Sequence, residues 1–261
     1  MELTTKTAVL IGAGNVATHL GLSLACKIII KQVYSRKLEN ARHLASILGA
    51  DATNDTESID RNADIYIVAI SDDSISEFSA KMIGSKGVWM HTSGSVPMSA
   101  LDGVGDSHGV LYPLQTFSKN VETDFHGIHF LTEATDDTTL ALIDLLAGAT
   151  GCKSVHHVTS EQRQRIHLAA VFACNFANYM WINADELLSE TGLHFDAFQP
   201  LVQATLDKAV HSGPKAGQTG PARRGDANVI NRHIGMLQND KAEVYKMLSD
   251  KILKMFGHEQ N

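Results

Sequence analysis

Two apolar patterns alternate along the first part of the chain, and only one of them continues to the end. Ala8-Val9-Leu10-Ile11 and Ile65-Tyr66-Ile67-Val68-Ala69-Ile70 are apolar runs with no polar alternation, the pattern of strands covered on both faces. Ile28-Ile29-Ile30 with Gln32-Val33-Tyr34, Gly87-Val88-Trp89-Met90, residues 110–117, Ile128-His129-Phe130-Leu131 and Cys152-Lys153-Ser154-Val155 continue the strand series. Between them Val16, Leu20 and Leu24, then Leu38, Ala41, Leu44, Ala45 and Leu48, recur at helical spacing. Residues 59–63 and 138–146 read as further helices. This alternation predicts an α/β domain, a doubly wound and mostly parallel Rossmann-like sheet.

From Ser160 onward the strand signals stop. Residues 161–191 read as one long helix closed by Gly192. It is apolar on all sides between Ile166 and Ile182, which implies burial in a bundle or at a subunit interface. Residues 195–210, 228–238 and 241–256 supply further helices, with a loop at 212–221. The pattern divides the chain into a sheet domain at 1–158 and an all-helical C-terminal domain at 159–261.

The first strand breaks at Gly12-Ala13-Gly14, and a helix follows from Asn15 and Val16. Strand, glycine turn and helix are the context of a dinucleotide fingerprint. Gly12 suits the tight turn, Gly14 lets the backbone approach a pyrophosphate, and the helix N-terminus attracts it. Ala17 fills the third small position. The second strand ends in Ser35-Arg36-Lys37, where an NAD-binding chain usually carries an acid for the ribose 2′-hydroxyl. A hydroxyl and a guanidinium suit a 2′-phosphate instead, so the expected cofactor is NADP. A solvated basic turn would use the same residues.

Ile70 and Ser71 end the next strand, and Asp73 or Ser74 can cap the helix after it. His91-Thr92-Ser93-Gly94-Ser95 ends the strand beyond. There His91, Ser93 and Gly94 either meet the nicotinamide ribose or form a hydrogen-bonded turn.

Composition narrows the function classes. The 261 residues are 44% hydrophobic and 20% charged with a formal net charge of −7, which permits a packed core and argues against nonspecific nucleic-acid or anionic-membrane binding. No apolar stretch has the length of a membrane span, and the sequence passes from Met1-Glu2-Leu3-Thr4 straight into the first strand, without a signal peptide. Cys26, Cys152 and Cys174 are odd in number and far apart. That suggests buried thiols in a reducing, cytoplasmic compartment. Thirteen histidines raise a metal site, but there is no HExxH. His156 and His157 are adjacent and would point to opposite faces of a strand, so no metal is expected.

Two places in the helical domain carry candidate chemistry. His167 and Asn175 are polar in an apolar run and eight positions apart, roughly one helix face. A histidine there can protonate an alkoxide formed by hydride transfer, or be a satisfied core histidine. In Thr219-Gly220-Pro221-Ala222-Arg223-Arg224-Gly225-Asp226, Arg223 and Arg224 can clamp a carboxylate. Asp226 either orients an arginine or caps the next helix.

With GxGNxA, His91-Thr92-Ser93-Gly94-Ser95, Tyr112-Pro113-Leu114-Gln115-Thr116-Phe117 and TGPxxRGD together, the chain resembles the predicted NADP-dependent oxidoreductases with a C-terminal helical domain of unknown function. More remotely it is similar to the 6-phosphogluconate, β-hydroxyacid, ketopantoate and pyrroline-5-carboxylate reductases. The resemblance implies a helical domain that completes the active site and often a homodimer. Against ketopantoate reductases, His167 stands at the lysine-like place and Asn175 at the asparagine-like one, a departure that implies a different pH profile. The expected activity is NADPH-dependent reduction of a small carboxylate bearing a carbonyl, a ketopantoate-like 2-oxo acid first. A cyclic imine of the pyrroline-carboxylate kind is the alternative in class, and a non-catalytic NADP-binding sensor is the alternative outside it.

Overall fold

The computed structural model describes residues 2–105, 107–118, 121, 123–189 and 191–257. The chain divides into two compact units, Met1–Cys174 and Asn175–Asn261.

The first unit is built on an eight-stranded sheet. Its strands are β1 (Thr7–Ile11), β2 (Ile29–Tyr34), β3 (Asp51–Thr53), β4 (Ile65–Val68), β5 (Val88–His91), β6 (His108–Pro113), β7 (His129–Ala134) and β8 (Ser154–His157). They lie in the order β3-β2-β1-β4-β5-β6-β7-β8. The order turns back between β1 and β4, the switch point at which open α/β sheets take ligands beyond the carboxyl ends of their strands. The unbroken apolar runs follow from burial on both faces. Ala8, Leu10, Ile65 and Ile67 point into one core, whereas Val9, Ile11, Tyr66 and Val68 point into the other. In that second core the Tyr66 ring stacks on Trp89 at 4.1 Å. Helices α1 (Asn15–Leu24), α2 (Leu38–Leu48), α3 (Asp72–Lys81) and α4 (Asp137–Ala149) connect the strands.

Four local expectations change. β7 runs antiparallel to β6, although every other pair is parallel. A parallel return needs a crossover helix, and between β6 and β7 the described residues form only the single 3-10 turn Phe125–Gly127. Residues 59–63 are not helical: Tyr66 Oη accepts from the Ala63 amide and donates to Asp60 O, and Asp60 accepts from the Asn62 amide. Those side chains take the groups that a helix would pair. The cap of α3 is Ser71 rather than Asp73 or Ser74. The cysteines are not buried, since Cys26 and Cys174 are exposed and Cys152 is half-buried.

Helix α5 (Ser160–Ala170) is fixed to the sheet at its first turns. Thr159 and Gln162 close a capping box. Arg163, fully buried, ion-pairs with Glu133 of β7 and donates to the Val96 carbonyl at 2.6 Å. Ser160 Oγ donates to the same carboxylate at 2.8 Å and accepts from the Met98 amide at 2.9 Å.

The helical run continues through a π-helical segment, Val171–Phe176, into α6 (Ala177–Leu188). The cap of α6 is Ser189 rather than Gly192, which follows in the next turn with φ 78°. Burial of this run in a bundle is not met within the chain, because Tyr179, Trp181 and Ile182 are 38–48% exposed. The second unit continues with α7 (Gln199–Ser212), the short α8 (Pro214–Gly217) and α9 (Pro221–Arg224), α10 (Ala227–Met236) and α11 (Asn239–Met255). Ala222, Ile230 and Leu253 form its core, with Ile234, Tyr245 and Ile252 against them. No helix among the described residues is long and apolar enough to cross a membrane.

Replacing Arg163 with alanine leaves the Glu133 carboxylate without its counter-ion. Urea denaturation should show a loss of about 3–5 kcal/mol, the usual effect of removing one partner of a buried pair. A loss below about 1 kcal/mol would mean that Ser160 alone satisfies Glu133.

Candidate active site

A cavity of about 830 Å³ opens at the carboxyl ends of β1, β2, β4, β5 and β6. Gly12 starts it. Its φ is 123°, and a Cβ there would lie 2.2 Å from the Ala69 carbonyl oxygen, so a side chain would push β1 and β4 apart. Gly14 caps α1, has open space at its Cβ position, and is followed by a first turn without acidic residues. The unpaired N–H groups and dipole of that turn therefore face the cavity without a competing carboxylate. Asn15 also lines the cavity, but its Nδ2 donates to Phe117 O at 2.9 Å and holds the 115–118 segment over the turn.

At the end of β2, Ser35 and Arg36 line the cavity. Arg36 is exposed and makes no ion pair among the described residues. Lys37 is also exposed but does not line the cavity; it caps α2. Three residues unmarked by sequence motifs join Arg36: Asn40, Thr56 and Lys81. They come from α2, a 3-10 turn and the last turn of α3, so no local spacing could have marked them. Lys81 is ion-paired with Glu77 at 2.7 Å.

Val16, Ile70, Ser71, Ser93 and Gly94 line the cavity as expected, and His91 does not. His91 is fully buried beneath it, with Nδ1 accepting from the Ser93 amide at 3.2 Å and Nε2 donating to Pro97 O at 3.3 Å. Burial, with the Arg163 charge second, lowers its pKa to about 4, so this ring is neutral at pH 7. The Ser93 hydroxyl accepts from the amides of Ser95 and Val96 at 3.1 Å each, so it holds the turn.

His167 lines the cavity from α5. Its Nδ1 lies 3.0 Å from the Tyr112 hydroxyl, and the two rings meet edge to face. Gly94 makes room for this pair, because a Cβ there would sit 2.6 Å from His167 Nδ1 and 2.8 Å from Tyr112 Cζ. Burial raises the Tyr112 pKa above the ordinary phenol range and keeps its proton on oxygen. The hydroxyl can then donate to Nδ1, which selects the tautomer bearing hydrogen on Nε2. In the sequence Tyr112 stood only at the head of the 112–117 segment, with no role attached to its hydroxyl.

Asn175, Arg223 and Arg224 belong to the second unit. Arg223 stacks over the Phe256 ring at 4.0 Å, and Arg224 pairs with Asp226 at 2.8 Å. Asp226 thus orients an arginine and makes no side-chain cap bond to α10.

The family model described as "NADP oxidoreductase coenzyme F420-dependent" matches residues 6–88, and the one described as "Domain of unknown function (DUF2520)" matches residues 128–252. A Bacteroides fragilis protein assigned as an NADP oxidoreductase is 41% identical, with 96% of this chain and 98% of that one covered at a TM-score of 0.90. The chain belongs to this NADP oxidoreductase family. It is an NADP-dependent oxidoreductase. A Thermotoga maritima protein shares the fold at 21% identity and a TM-score of 0.76, with coverage of 96% and 98%. The 1-pyrroline-5-carboxylate reductase of Streptococcus pyogenes shares it at 13% identity and 0.62, with coverage of 97% and 98%. No curated protein matches the chain. The cavity of this NADP oxidoreductase fits a dinucleotide phosphate on its own features: the Gly12 approach, the acid-free first turn of α1, and Arg36, which has no ion pair among the described residues.

The low pKa of His91 makes the fold of the oxidoreductase pH-sensitive. The unfolded chain binds a proton near pH 6.5 that the folded one refuses down to about 4. Stability from this residue is therefore full above pH 6.5 and lost as pH falls toward 4. Urea unfolding at pH 7 and pH 4.5 should differ by about 2–3 kcal/mol from this group. His91→Gln should remove that share of the difference, and an unchanged pH dependence would count against the assignment.

Proposed function

We propose that this oxidoreductase uses NADPH to reduce the carbonyl carbon of a small 2-oxo carboxylate of the ketopantoate kind, with His167 as proton donor. One observation carries the reading: the Tyr112–His167 pair lines the same cavity as the glycine turn. NADPH, when bound, supplies the hydride. The first turn of α1, with Gly12, Gly14, Asn15 and Val16, faces the pyrophosphate. Ser35 and Arg36, joined by Lys81, hold the 2′-phosphate, while Lys37 adds charge nearby. Ile70, Ser71, Ser93 and Gly94 shape the wall along the nicotinamide half. His167 in its imidazolium form gives the Nε2 proton to the developing alkoxide and is left neutral, while Tyr112 holds the ring through Nδ1. Arg223 and Arg224 as carboxylate candidates and Asn175 as a polar one lie in the second unit.

Asp72 favours a second reading. This carboxylate also lines the cavity and accepts from the Ser95 hydroxyl. A negative group suits a protonated imine, so cyclic imines are the alternative substrate. The three free cysteines and the net charge of −7 support a cytoplasmic enzyme that does not bind nucleic acid.

NADPH oxidation, followed by absorbance with ketopantoate, other 2-oxo acids and cyclic imines, tests this reading. Turnover is expected on a 2-oxo acid. His167→Ala should lower it by roughly 10²- to 10⁴-fold, and Arg36→Glu should raise KM for NADPH far more than for NADH. Unchanged turnover in His167→Ala would return that histidine to a structural role. Tight NADPH binding without any turnover would favour a sensor.

We also infer a homodimer through the C-terminal helices. Leu201, Leu206 and Val210 of α7 are 56–73% exposed, and no residue of α7 is buried, an apolar surface of the kind that subunits cover. Sedimentation should give about twice 28.3 kDa, and Leu206→Glu with Val210→Glu should give the monomer. A wild-type monomer at micromolar concentration would overturn this.

A further inference from the structure

Helix α3 presents a stripe of side chains to the cavity. Ser74, Glu77, Phe78 and Lys81 stand at positions i, i+3, i+4 and i+7, and all four line it, which is one face of a helix. The stripe meets the end of β2. The Phe78 ring lies 5.2 Å from the ring of Tyr34, the last residue of that strand, and Tyr34, Ser35 and Arg36 line the same cavity.

Glu77 is the unexpected member of this group. In chains that take NAD, an acid accepts from the ribose 2′-hydroxyl, and it usually stands at the end of the second strand. Here that strand is followed by Ser35 and Arg36, and an acid arrives from α3 instead. Its Oε1 accepts from Lys81 Nζ at 2.7 Å. That bond first, and the charge of Arg36 more weakly, hold the Glu77 carboxyl below its ordinary range. The carboxylate therefore stands in the field of both cations that a 2′-phosphate needs. Pairing of Glu and Lys four apart is common on any exposed helix face. It explains the Lys81 bond, but neither the pull of Arg36, which lies outside α3, nor the placing of the pair against the cavity.

We propose that Glu77 is the internal counter-ion of the 2′-phosphate seat, a specificity-determining residue that limits the preference for NADPH over NADH. The inference rests on the reading that Arg36 and Lys81 hold the 2′-phosphate. To meet a phosphate carrying a charge of about −2, Lys81 must leave Glu77, and the freed carboxylate then repels the same group. Both effects weaken NADPH. Neither acts on NADH, which has a hydroxyl in place of the phosphate and leaves the Lys81–Glu77 bond closed. The side chains of Lys81 and Glu77 are 52% and 76% exposed, so salt screens the repulsion.

Binding constants for NADPH and NADH, from quenching of protein fluorescence at low and high salt, test the role. Calorimetric titration with 2′,5′-ADP and with 5′-ADP isolates the phosphate end from the nicotinamide and needs no turnover. Glu77→Gln should tighten NADPH and 2′,5′-ADP about three- to tenfold at low salt and leave NADH and 5′-ADP within about twofold. The gain should shrink at high salt. It should also fall in a Lys81→Met background, where the bond that opposes the phosphate is already gone. Unchanged NADPH affinity in Glu77→Gln, an equal gain for NADPH and NADH, or a gain undiminished without Lys81 would overturn the role. Failure of the seat itself reads differently: NADPH would bind as tightly to Arg36→Glu and Lys81→Met as to the wild type, and the proposal would fall with it. Glu77 and Lys81 are exposed, so their variants should fold.

Discussion

The buried ion pair between Arg163 and Glu133 is the constraint on which the reacting end of the cavity depends. A guanidinium with no exposure must have partners, because an unpaired charge in that position costs several kcal/mol. Its partners come from two separate places, the β7 carboxylate and the Val96 carbonyl after β5. Satisfying both fixes where α5 begins and how it is rotated. One turn further along the same helix is His167, which that rotation sets against Tyr112 of β6 and over Gly94. The arginine touches no cavity surface, yet it positions the histidine that does.

The same charge acts on the layer beneath. His91 lies buried under the Ser93 turn, and both desolvation and Arg163 disfavour its protonation. Its neutral ring can accept from the Ser93 amide and donate to Pro97 O at once, which a doubly protonated ring could not do. The turn carrying Ser93 and Gly94 is therefore held from below by a histidine whose charge state the arginine helps to set. The imidazole under the turn stays neutral, and the buried Arg163 charge is paired with Glu133.

Much of this was legible in the sequence because it depends on local spacing. Unbroken apolar runs at 8–11 and 65–68 require cover on both faces, and the two cores divide their residues by parity. Gly12 was legible because only glycine tolerates that φ and that approach to Ala69. The antiparallel β7 was not, since its direction depends on the β6–β7 connection, which has no crossover helix among the described residues, rather than on its own residues. Tyr112 and Lys81 were not legible either. One sits in a strand whose apolar neighbours hide it and the other in an amphipathic helix, and only the sheet order brings each to the cavity. His91 was open between the nicotinamide ribose and a hydrogen-bonded turn, and its bonds to the Ser93 amide and Pro97 O give the turn. A histidine at a strand's carboxyl end can point into the ligand space or under it.

Helix α3 shows how one short element can give the cavity a direction. Its ten residues span about 15 Å, with Asp72 in the first turn and Lys81 in the last, and both line the cavity. This placement also complements the helix dipole, which favours acids at the start and bases at the end. Dipole pairing alone would be served equally on the solvent face, so it does not explain why both groups face the cavity. Arg36, just after β2, joins Lys81 in lining the cavity, where Glu77 offsets part of their charge, while Tyr112 responds to the Asp72 charge. A ligand carrying a phosphate at one terminus and a cationic ring at the other would meet this gradient in a single favourable orientation. Oxidised nicotinamide dinucleotide phosphate has that distribution of charge. Its reduction neutralises the ring while leaving the phosphate unchanged. A nicotinamide held at the Asp72 end would therefore lose attraction on reduction, whereas a 2′-phosphate held by Arg36 and Lys81 would not.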